Sequence, residues 1–405
     1  MIRAAIIFLH NGPFGGATRR ISNLFFSASR DSELYFIVSN TYYNQLNQIF
    51  PSLPKKNIQV VGEKTDKLII AAEKNSRINE LTYKIDNPSF PRQIYRFIKN
   101  YIYQKKLFNE IDRIKREKNI QVFMGIYSGI IPLYFYLFKK KRDVGIIYCN
   151  MDSWFSDIFP KEKKYWYKKF SSFNYALENS DYVDFLSPFI LKGVRERGIN
   201  IKDYTVSITP SSFTDYSKCR IGDKSKFQVA FSGRLEKDKN PEMFLDAAEI
   251  LIKKYDNIIF HIMGEGRLTD IIRKRVDSMR NKNVIFHGFH NNPPEILAET
   301  SIFISIQTTN NYPSQSVLEA MACGNAVIAT DVGDTRMFIN ENNGLLINLE
   351  INELTQAIEY LYNRKDKCSE MGKYAEKYVK ENHNIDKSAE YYLELFEKAY
   401  SKVNG

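Results

Sequence analysis

The sequence predicts two doubly wound α/β domains, each built from a parallel sheet wrapped by helices. The chain has 405 residues, enough for two or three domains of about 150 residues each. Short apolar runs alternate with longer helical patterns, which is typical of strands and helices that follow one another in a parallel sheet. A polar stretch at 211–226 separates a first series of runs from a second, so we place the junction near residue 211.

Seven apolar runs before that junction predict the buried strands of the first domain. These runs are residues 4–9, 34–39, 58–61, 120–126, 144–149, 182–187 and 205–209. Helical patterns fall between them, and the longest lies near 92–118.

Six further runs predict the sheet of the second domain. They are residues 227–232, 258–263, 284–288, 302–306, 326–330 and 344–347, and the last 50 or so residues carry helical patterns only. Sheets of this class bind ligands at the carboxyl ends of their strands. The sequence therefore predicts a site at that edge, in a cleft between the two domains.

Composition favours an intracellular globular protein. The chain is 43% hydrophobic and 26% charged, and its four cysteines are scattered without a C-x-x-C pair. Scattered thiols are typical of a reducing cytosol rather than of disulfides or a zinc site. The first apolar run is too short for a secretory signal, and the most apolar stretch, 129–138, falls short of the roughly 20 residues that span a bilayer.

Charge is divided unevenly between the two domains. Residues 1–215 hold 33 Lys and Arg against 20 Asp and Glu, a net charge of +13, whereas the remainder has a net charge of −2. Basic clusters at 139–142 and 161–169, the second with Tyr and Trp, resemble membrane-surface or nucleic-acid patches. The alternative is that these basic clusters are ordinary helix faces exposed to solvent. No nucleic-acid-binding module accompanies the clusters, so we do not predict nucleic acid as a partner.

The first strand leads into a glycine turn, "HNGPFGGATRR" (10–20). Gly15 and Gly16 stand where the strand turns into a helix, and glycine lets the backbone approach a ligand closely. The spacing is not G-x-G-x-x-G, and the chain has no P-loop, which argues against a dehydrogenase or a nucleotide hydrolase. A structural turn is the alternative.

Two loops of the second domain follow strands and carry charge or glycine. In "FSGRLEKDKN" the strand ends at Gly233, and Arg234 and Lys239 precede a helix. Arginine can bind a diphosphate bidentately and lysine as a point charge. The next strand ends in "GEGRL", which places Gly264 and Glu265 at the same edge. A solvated loop is the alternative for each.

The segment "SQSVLEAMACGNAVIAT" (314–330) predicts a helix followed by a buried strand. The backbone N–H groups of Ser316, Val317 and Leu318 would be free to meet an anion, and Glu319 could accept hydrogen bonds from a ribose diol. The alternative is a capped helix with an acid in its first turn, worth roughly 0.3–1 kcal/mol.

Together these segments resemble the retaining, nucleotide-sugar-dependent glycosyltransferases of family 4, which have the GT-B fold. The resemblance is strongest at 231–347. It implies two Rossmann-like domains facing across a cleft. The N-terminal, acceptor-binding domain would comprise 1–211, with about 385–405 crossing back to it, and the C-terminal, donor-binding domain would comprise 212–384.

The resemblance also assigns roles to residues. Arg234 and Lys239 would bind the donor diphosphate and Glu319 the ribose; these three are the catalytic candidates. The amides at 316–318 would meet the phosphates, and the segment around Gly288 would lie by the base. The implied donor-binding set is Gly15, Gly16, Gly233, Gly264, Glu265, Gly288, Asn311, Ser316, Val317 and Leu318.

Two positions depart from the family pattern. Asn311 stands where the family commonly has a Glu that touches the donor sugar. The stretch "IIYCNMDSW" lacks the His that many relatives place after a first-domain strand, so Asp152 is the nearest polar candidate, with a structural turn as the alternative. His10 is a second acceptor-side candidate, with turn capping as its alternative.

The implied function is transfer of a hexosyl or N-acetylhexosaminyl group, with retention, to a glycan or lipid-linked acceptor in surface polysaccharide synthesis. UDP is favoured by its frequency in the family. The chain contains no D-x-D triplet, so we expect neither a metal nor a cofactor. We expect a cytoplasmic protein that can rest on the inner face of an anionic membrane through its basic domain. The alternative is a non-catalytic nucleotide-sugar-binding protein.

Overall fold

The computed structural model describes residues 2–10, 16–30, 32–51, 55–61, 90–139, 141–150, 172–210, 213–310, 312 and 314–405. The chain divides into two compact units. The first unit comprises Met1–Pro210 with Asp386–Gly405, and the second comprises Ser211–Ile385. The sequence-based division was 1–211 with about 385–405, and 212–384.

The first unit contains a parallel sheet of seven strands in the order β3-β2-β1-β4-β5-β6-β7. Its strands are β1 (Arg3–Phe8), β2 (Glu33–Ser39), β3 (Ile58–Val61), β4 (Val122–Ile126), β5 (Gly145–Asn150), β6 (Tyr182–Phe185) and β7 (Val206–Ile208). Its helices are α1 (Gly16–Ala28), α2 (Asn40–Ile49), α3 (Phe90–Lys118), α4 (Tyr134–Leu137), α5 (Ser172–Asn179) and α6 (Pro188–Glu196).

The second unit contains a parallel sheet of six strands in the order β10-β9-β8-β11-β12-β13. Its strands are β8 (Phe227–Ser232), β9 (Ile258–Met263), β10 (Val284–Gly288), β11 (Ile302–Ser305), β12 (Ala326–Thr330) and β13 (Gly344–Ile347). Its helices are α7 (Pro241–Ile252), α8 (Thr269–Met279), α9 (Pro293–Leu297), α10 (Gln315–Ala322), α11 (Ile351–Tyr362) and α12 (Lys365–Asn382). The last helix, α13 (Ile385–Asn404), lies almost wholly in the first unit.

The thirteen predicted strands are confirmed, each to within two residues at either end. Strands buried on both faces read as continuous apolar runs, because helices cover both sides of a parallel sheet. Every residue of β5 and of β12 is buried, and the side chains of alternate residues on β8 pack into separate apolar clusters on the two faces. The predicted α/β class with two Rossmann-like sheets is therefore confirmed.

A buried carboxylate ties the last helix to the first sheet. Asp184 on β6 accepts hydrogen bonds from the Tyr392 hydroxyl at 3.0 Å and from Thr209 Oγ1 at 2.9 Å, and the Tyr391 hydroxyl also donates to it. Burial raises the pKa of the Asp184 carboxyl, and the three hydroxyl donors oppose that shift. The backbones of β5 and α13 also lie close together, because a Cβ on Gly145 would lie only 2.6 Å from the Ala399 carbonyl oxygen.

Removing one of these hydroxyls should weaken the first unit. Tyr392→Phe leaves the buried Asp184 carboxylate with one donor fewer, so we expect a loss of roughly 1–3 kcal/mol in the free energy of unfolding. Urea denaturation followed by circular dichroism measures it. Tyr400→Phe is the matched control on the same helix, because no hydrogen bond joins its hydroxyl to the described residues. Equal stability of the two variants would contradict the role given to Asp184.

Candidate functional site

The strand order of the second sheet creates a crevice between β8 and β11. Chain connections from β8 run toward one edge of the sheet, through β9 and β10, whereas those from β11 run toward the other, through β12 and β13. Ligands of doubly wound sheets bind at the carboxyl ends of the strands where the order reverses. Gly233 follows directly on β8, and Gln307 lies two residues after the end of β11, so both lie at this crevice.

Lys239 reaches across the crevice. It ends a short helical turn, Lys237–Lys239, and its Nζ donates a hydrogen bond to Gln307 Oε1. The next residue, Asn240, has a left-handed backbone with φ of 51° and donates from Nδ2 to the Ile306 carbonyl at 3.3 Å. The loop after β8 is thereby joined to the loop after β11, and the predicted lysine is held at the switch point.

Gln307 is a site residue that sequence reasoning missed. Its side chain is buried, and its Nε2 donates to Ser305 Oγ at 3.2 Å, which turns Oε1 toward Lys239. Its backbone N–H donates to Thr330 Oγ1 at 2.9 Å, and that hydroxyl donates back to the Gln307 carbonyl at 2.8 Å. The signal available in the sequence was a polar residue just after a largely apolar strand, the same rule that singled out Arg234.

Glycines let the loops after β8, β9 and β10 approach one another. The Gly233 N–H donates to the Met263 carbonyl at 3.1 Å, and the Gly264 N–H donates to the Gly288 carbonyl at 2.7 Å. Gly264 has φ of 134°, and a Cβ there would lie 1.8 Å from the Gly233 carbonyl oxygen. A Cβ on Gly233 would meet nothing within 4 Å. Three predicted glycines thus lie side by side, and Gly264 is the one that packing requires.

Arg234 and Glu265 project from these loops. Arg234 is exposed and forms no ion pair or hydrogen bond through its side chain with the described residues. Glu265 is exposed as well; its backbone carbonyl accepts from the Leu235 N–H at 3.0 Å, and its carboxylate lies toward Gly288. The structure therefore brings Arg234, Lys239 and Glu265 to the carboxyl edge of one sheet.

The amino terminus of α10 is capped, which corrects the expectation of three free amides. Ser314 has an extended backbone, and its Oγ accepts the Val317 N–H at 3.2 Å, as serine caps commonly do. The Leu318 N–H donates to the Ser314 carbonyl at 3.1 Å. The amides of Val317 and Leu318 are therefore already bonded, and Ser316 places its Oγ 3.2 Å from Ser314 Oγ.

Glu319 lies in the second turn of α10, not the first. The helix begins at Gln315, and its first turn carries no acidic residue, so the expected first-turn position is wrong. The attraction between an acid and the helix amino terminus falls off within the first turn. Glu319 is only 6% exposed and has interaction partners within the structure. Its position in the second turn weakens the capping alternative, and its role in binding a ribose stays a prediction.

The remaining donor-binding candidates, Gly15, Gly16 and Asn311, and the acceptor-side candidates, His10 and Asp152, are placed less completely. Gly16 begins α1, the helix that follows β1, whereas Gly15, Asp152 and Asn311 lie outside the described residues. His10 is half-buried; its ring stacks on Phe8 with centroids 5.5 Å apart, and its carbonyl accepts from a serine hydroxyl at 2.6 Å. The roles assigned to these residues stay predictions.

A chain of side chains crosses three strands beside the site. Gln228 Nε2 donates to the Glu299 carbonyl at 3.2 Å, which directs Gln228 Oε1 toward His261 Nε2 at 2.6 Å. His261 Nε2 must then carry the proton, so Nδ1 is the acceptor and His287 Nε2 donates to it across 3.0 Å. Burial, and then the neighbouring His287, lowers the pKa of His261 to about 4. Among the described residues no group of three or more His, Cys, Asp or Glu is arranged to hold a metal ion.

Residues 217–378, within the second unit, match the family model described as glycosyl transferases group 1. The poly(ribitol-phosphate) α-N-acetylglucosaminyltransferase of Staphylococcus aureus is 26% identical over 64% of this chain and 51% of its own length. An uncharacterised glycosyltransferase of Methanocaldococcus jannaschii is 25% identical over 64% of this chain and 69% of its own. The chain thus spans about half the length of the first of these relatives.

Solved structures resemble the whole chain. Anabaena HepE in complex with UDP and glucose superposes with a TM-score of 0.70 at 14% identity, covering 98% of this chain and all of that one. A sucrose-phosphate synthase from Thermosynechococcus elongatus also gives 0.70 at 14% identity, covering 99% of this chain and all of that one. These likenesses confirm the GT-B fold. The family match and the sequence relatives agree on the glycosyltransferase class.

Alanine at the two neighbouring glycines should separate packing from binding. Gly264→Ala forces a Cβ into the Gly233 carbonyl and a strained φ, so we expect it to lower the melting temperature of the second unit by several degrees. Gly233→Ala has room for its Cβ and should leave the melting temperature nearly unchanged. Differential scanning calorimetry tests both variants, and equal destabilisation would contradict the packing described.

Acid should weaken the second unit through His261. Its pKa is lowered in the folded state, so the unfolded ring binds a proton that the folded ring excludes as pH falls from about 6.5 to about 4. The free energy of unfolding therefore falls by roughly 3 kcal/mol as the pH is lowered through this window, and the contribution is fully present above it. Urea unfolding between pH 7 and pH 4 should show a shallower pH dependence for His261→Gln than for wild type. Parallel curves would refute this assignment.

Proposed function

We propose that the chain transfers a sugar from a nucleoside-diphosphate sugar to a hydroxyl group of a glycan or lipid-linked glycan acceptor. The observation that carries the proposal is the convergence of Arg234, Lys239 and the amino terminus of α10 on the carboxyl edge of one sheet, with Glu319 buried on α10. Two cations at a sheet edge suit a diphosphate, and a carboxylate suits a ribose diol.

The chemistry follows from where charge develops. The bond between the anomeric carbon and the phosphate oxygen breaks, and the nucleoside diphosphate leaves with added negative charge. Arg234 and Lys239 would stabilise that charge, and such well-placed donors are typically worth about 3 kcal/mol each. Because Gln307 fixes the position of Lys239 beforehand, little reorganisation is needed as the charge appears.

The reaction we propose proceeds with retention and without a metal ion. The acceptor oxygen bonds to the anomeric carbon on the face from which the diphosphate leaves, and the acceptor proton passes to a phosphate oxygen. The two protein cations would neutralise the leaving group, a role that a divalent ion has in other transferases. Determining the anomeric configuration of the product by nuclear magnetic resonance tests retention, and turnover with and without a chelator tests the metal.

UDP is the favoured nucleotide, and a hexosyl or N-acetylhexosaminyl group the favoured sugar. HepE, a structural neighbour, has been solved with UDP and glucose, and the Staphylococcus relative is named as an N-acetylglucosaminyltransferase. We propose that the first unit supplies the acceptor contacts and that the acceptor belongs to surface polysaccharide synthesis. The protein would then act in the cytoplasm at the inner face of the cell membrane.

Thermal-shift titration with UDP, GDP, ADP and CDP, without metal, tests the site. A nucleotide at about 100 times its dissociation constant should add roughly 2.7 kcal/mol of stability. Lys239→Ala should lose that stabilisation, because it removes the cation held at the crevice. Lys237→Ala is the matched control: the same turn, the same residue type and an exposed side chain. No shift with any nucleotide, or equal shifts in both variants, would overturn the diphosphate site.

Transfer assays then distinguish an enzyme from a nucleotide-sugar-binding protein that has kept the fold. An enzyme releases nucleoside diphosphate from the sugar of the stabilising nucleotide when a suitable acceptor is present, and Arg234→Ala should reduce that release by at least ten-fold. Stabilisation by the nucleotide with no release across a panel of donors and acceptors would support the binding protein instead.

A further inference from the structure

The outer face of α3 in the first unit carries an exposed apolar stripe. Tyr95, Ile98 and Ile102 are 64%, 51% and 47% exposed, and their spacing of three and four residues places them on one face of the helix. Tyr101, 49% exposed, flanks them. Single exposed apolar residues are ordinary, but a contiguous stripe of four marks an interaction surface.

The opposite face of α3 accounts for the packing of the helix. Leu107, Ile111 and Ile114 are buried in the apolar cluster of the first unit. These positions lie about half a turn around the helix from Ile98 and Ile102, given 3.6 residues per turn. The exposed stripe is therefore not needed to fix the helix on the first unit, and the described residues leave it uncovered.

Positive charge accompanies the stripe. Residues 90–109 contain five Lys and Arg and no Asp or Glu. Lys105 and Lys106 continue the exposed face one turn beyond Ile102, and neither pairs with a carboxylate among the described residues. Farther along, Arg113 and Arg116 are exposed too, but each pairs with an acid on the same helix. Apolar groups and unneutralised cations thus share the first part of the outer face.

Aromatic side chains extend the surface beside α3. The Tyr101 ring packs edge-on against Phe135 with centroids 5.6 Å apart, and the Lys105 ammonium lies 4.9 Å from the Phe135 ring centre. Phe138, at the end of the same short segment, is 52% exposed, and the next residue is an exposed lysine. Tyrosine and phenylalanine beside lysine are typical of side chains that lie at the boundary between water and lipid.

We infer that this stripe, defined as Tyr95, Ile98, Tyr101 and Ile102 with Lys105 and Lys106, docks on an anionic lipid bilayer. An interfacial helix inserts its apolar face into the headgroup region while its cations meet anionic headgroups. A helix with one apolar, basic face and an opposite face packed on its own domain suits a position on the membrane surface. Among the described residues no helix is long and apolar enough to cross a membrane. The inference deepens the proposed function, since it places the chain where a lipid-linked acceptor would be, but vesicle binding itself needs no sugar transfer.

Flotation with vesicles tests the surface directly. Vesicles of phosphatidylcholine with about 40% phosphatidylglycerol should bind the wild-type chain at low salt, and phosphatidylcholine alone should bind it far less. Ile98→Asn/Ile102→Asn removes apolar contact and should weaken binding at least ten-fold. Lys105→Gln/Lys106→Gln should weaken it by about thirty-fold at low salt and much less at 0.5 M salt, where headgroup charge is screened.

Matched controls lie on the second unit. Ile250 and Ile271 are exposed to a similar degree, 47% and 51%, on α7 and α8, and Ile250→Asn/Ile271→Asn should bind vesicles as wild type does. Lys373→Gln/Lys377→Gln removes two exposed lysines of α12 and should also change nothing. Nucleotide thermal shifts on all four variants show whether the second unit is intact, which separates loss of docking from failure of the proposed donor site.

Three outcomes would overturn the inference. Wild type does not float with anionic vesicles, or it binds neutral and anionic vesicles equally, or the α3 variants bind as tightly as their controls. Binding of duplex DNA that the Lys105→Gln/Lys106→Gln variant loses, with no vesicle binding, would assign the surface to nucleic acid instead.

Discussion

The candidate site depends on parallel strand pairing with one reversal of strand order. Parallel strands bring their carboxyl ends to one edge, and the reversal between β8 and β11 sends the two following loops apart, so that a crevice opens between them. Apolar strands on both sides hold the edge rigid, and helices cover both faces. The bond from Lys239 to Gln307 is possible only because these two loops flank the same crevice. This geometry fixes the position of the Lys239 ammonium, which would otherwise move freely on its loop.

Sequence patterns gave the strands and the positions of Gly233, Arg234 and Lys239, because burial on both sides leaves a strong apolar signal and a strand's end is visible in the chain. They did not give Gln307 or the partners of His261. Lys239 and Gln307 are 68 positions apart in the chain, and the two partners of His261 are 26 and 33 positions from it. Whether these residues meet depends on which strands are neighbours and on their register. A single sequence contains the residue types but not the pairing. The turn that holds Glu319 was misplaced for a different reason: it depends on where α10 begins, and helix ends are less sharply marked in a sequence than helix interiors.

Each unit contains a buried ionisable group, Asp184 in the first and His261 in the second, whose side chain is held in a hydrogen-bond network. Asp184 is surrounded by hydroxyl donors from Thr209, the residue after β7, and from α13, and His261 lies between an amide and a second imidazole. Each group would be costly if left alone in an apolar sheet, and each specifies one arrangement of its neighbours. Asp184 fixes the last helix on the first sheet. His261 fixes the tautomer of His287 close to Gly288, where the family resemblance places the nucleotide base.

The two units differ in charge, and the difference suits the different partners proposed for them. The second unit is nearly neutral overall, so in the proposed function Arg234 and Lys239 would act at short range on a bound anion and would not attract polyanions broadly. The first part of the chain has a net charge of +13, and on α3 that charge adjoins exposed isoleucine and tyrosine side chains. Nucleic acid would be attracted by the cations alone and gains nothing from an aliphatic stripe, whereas a lipid surface uses both. The combination of groups on one helix face, rather than the net charge, therefore selects a bilayer over a polyanion.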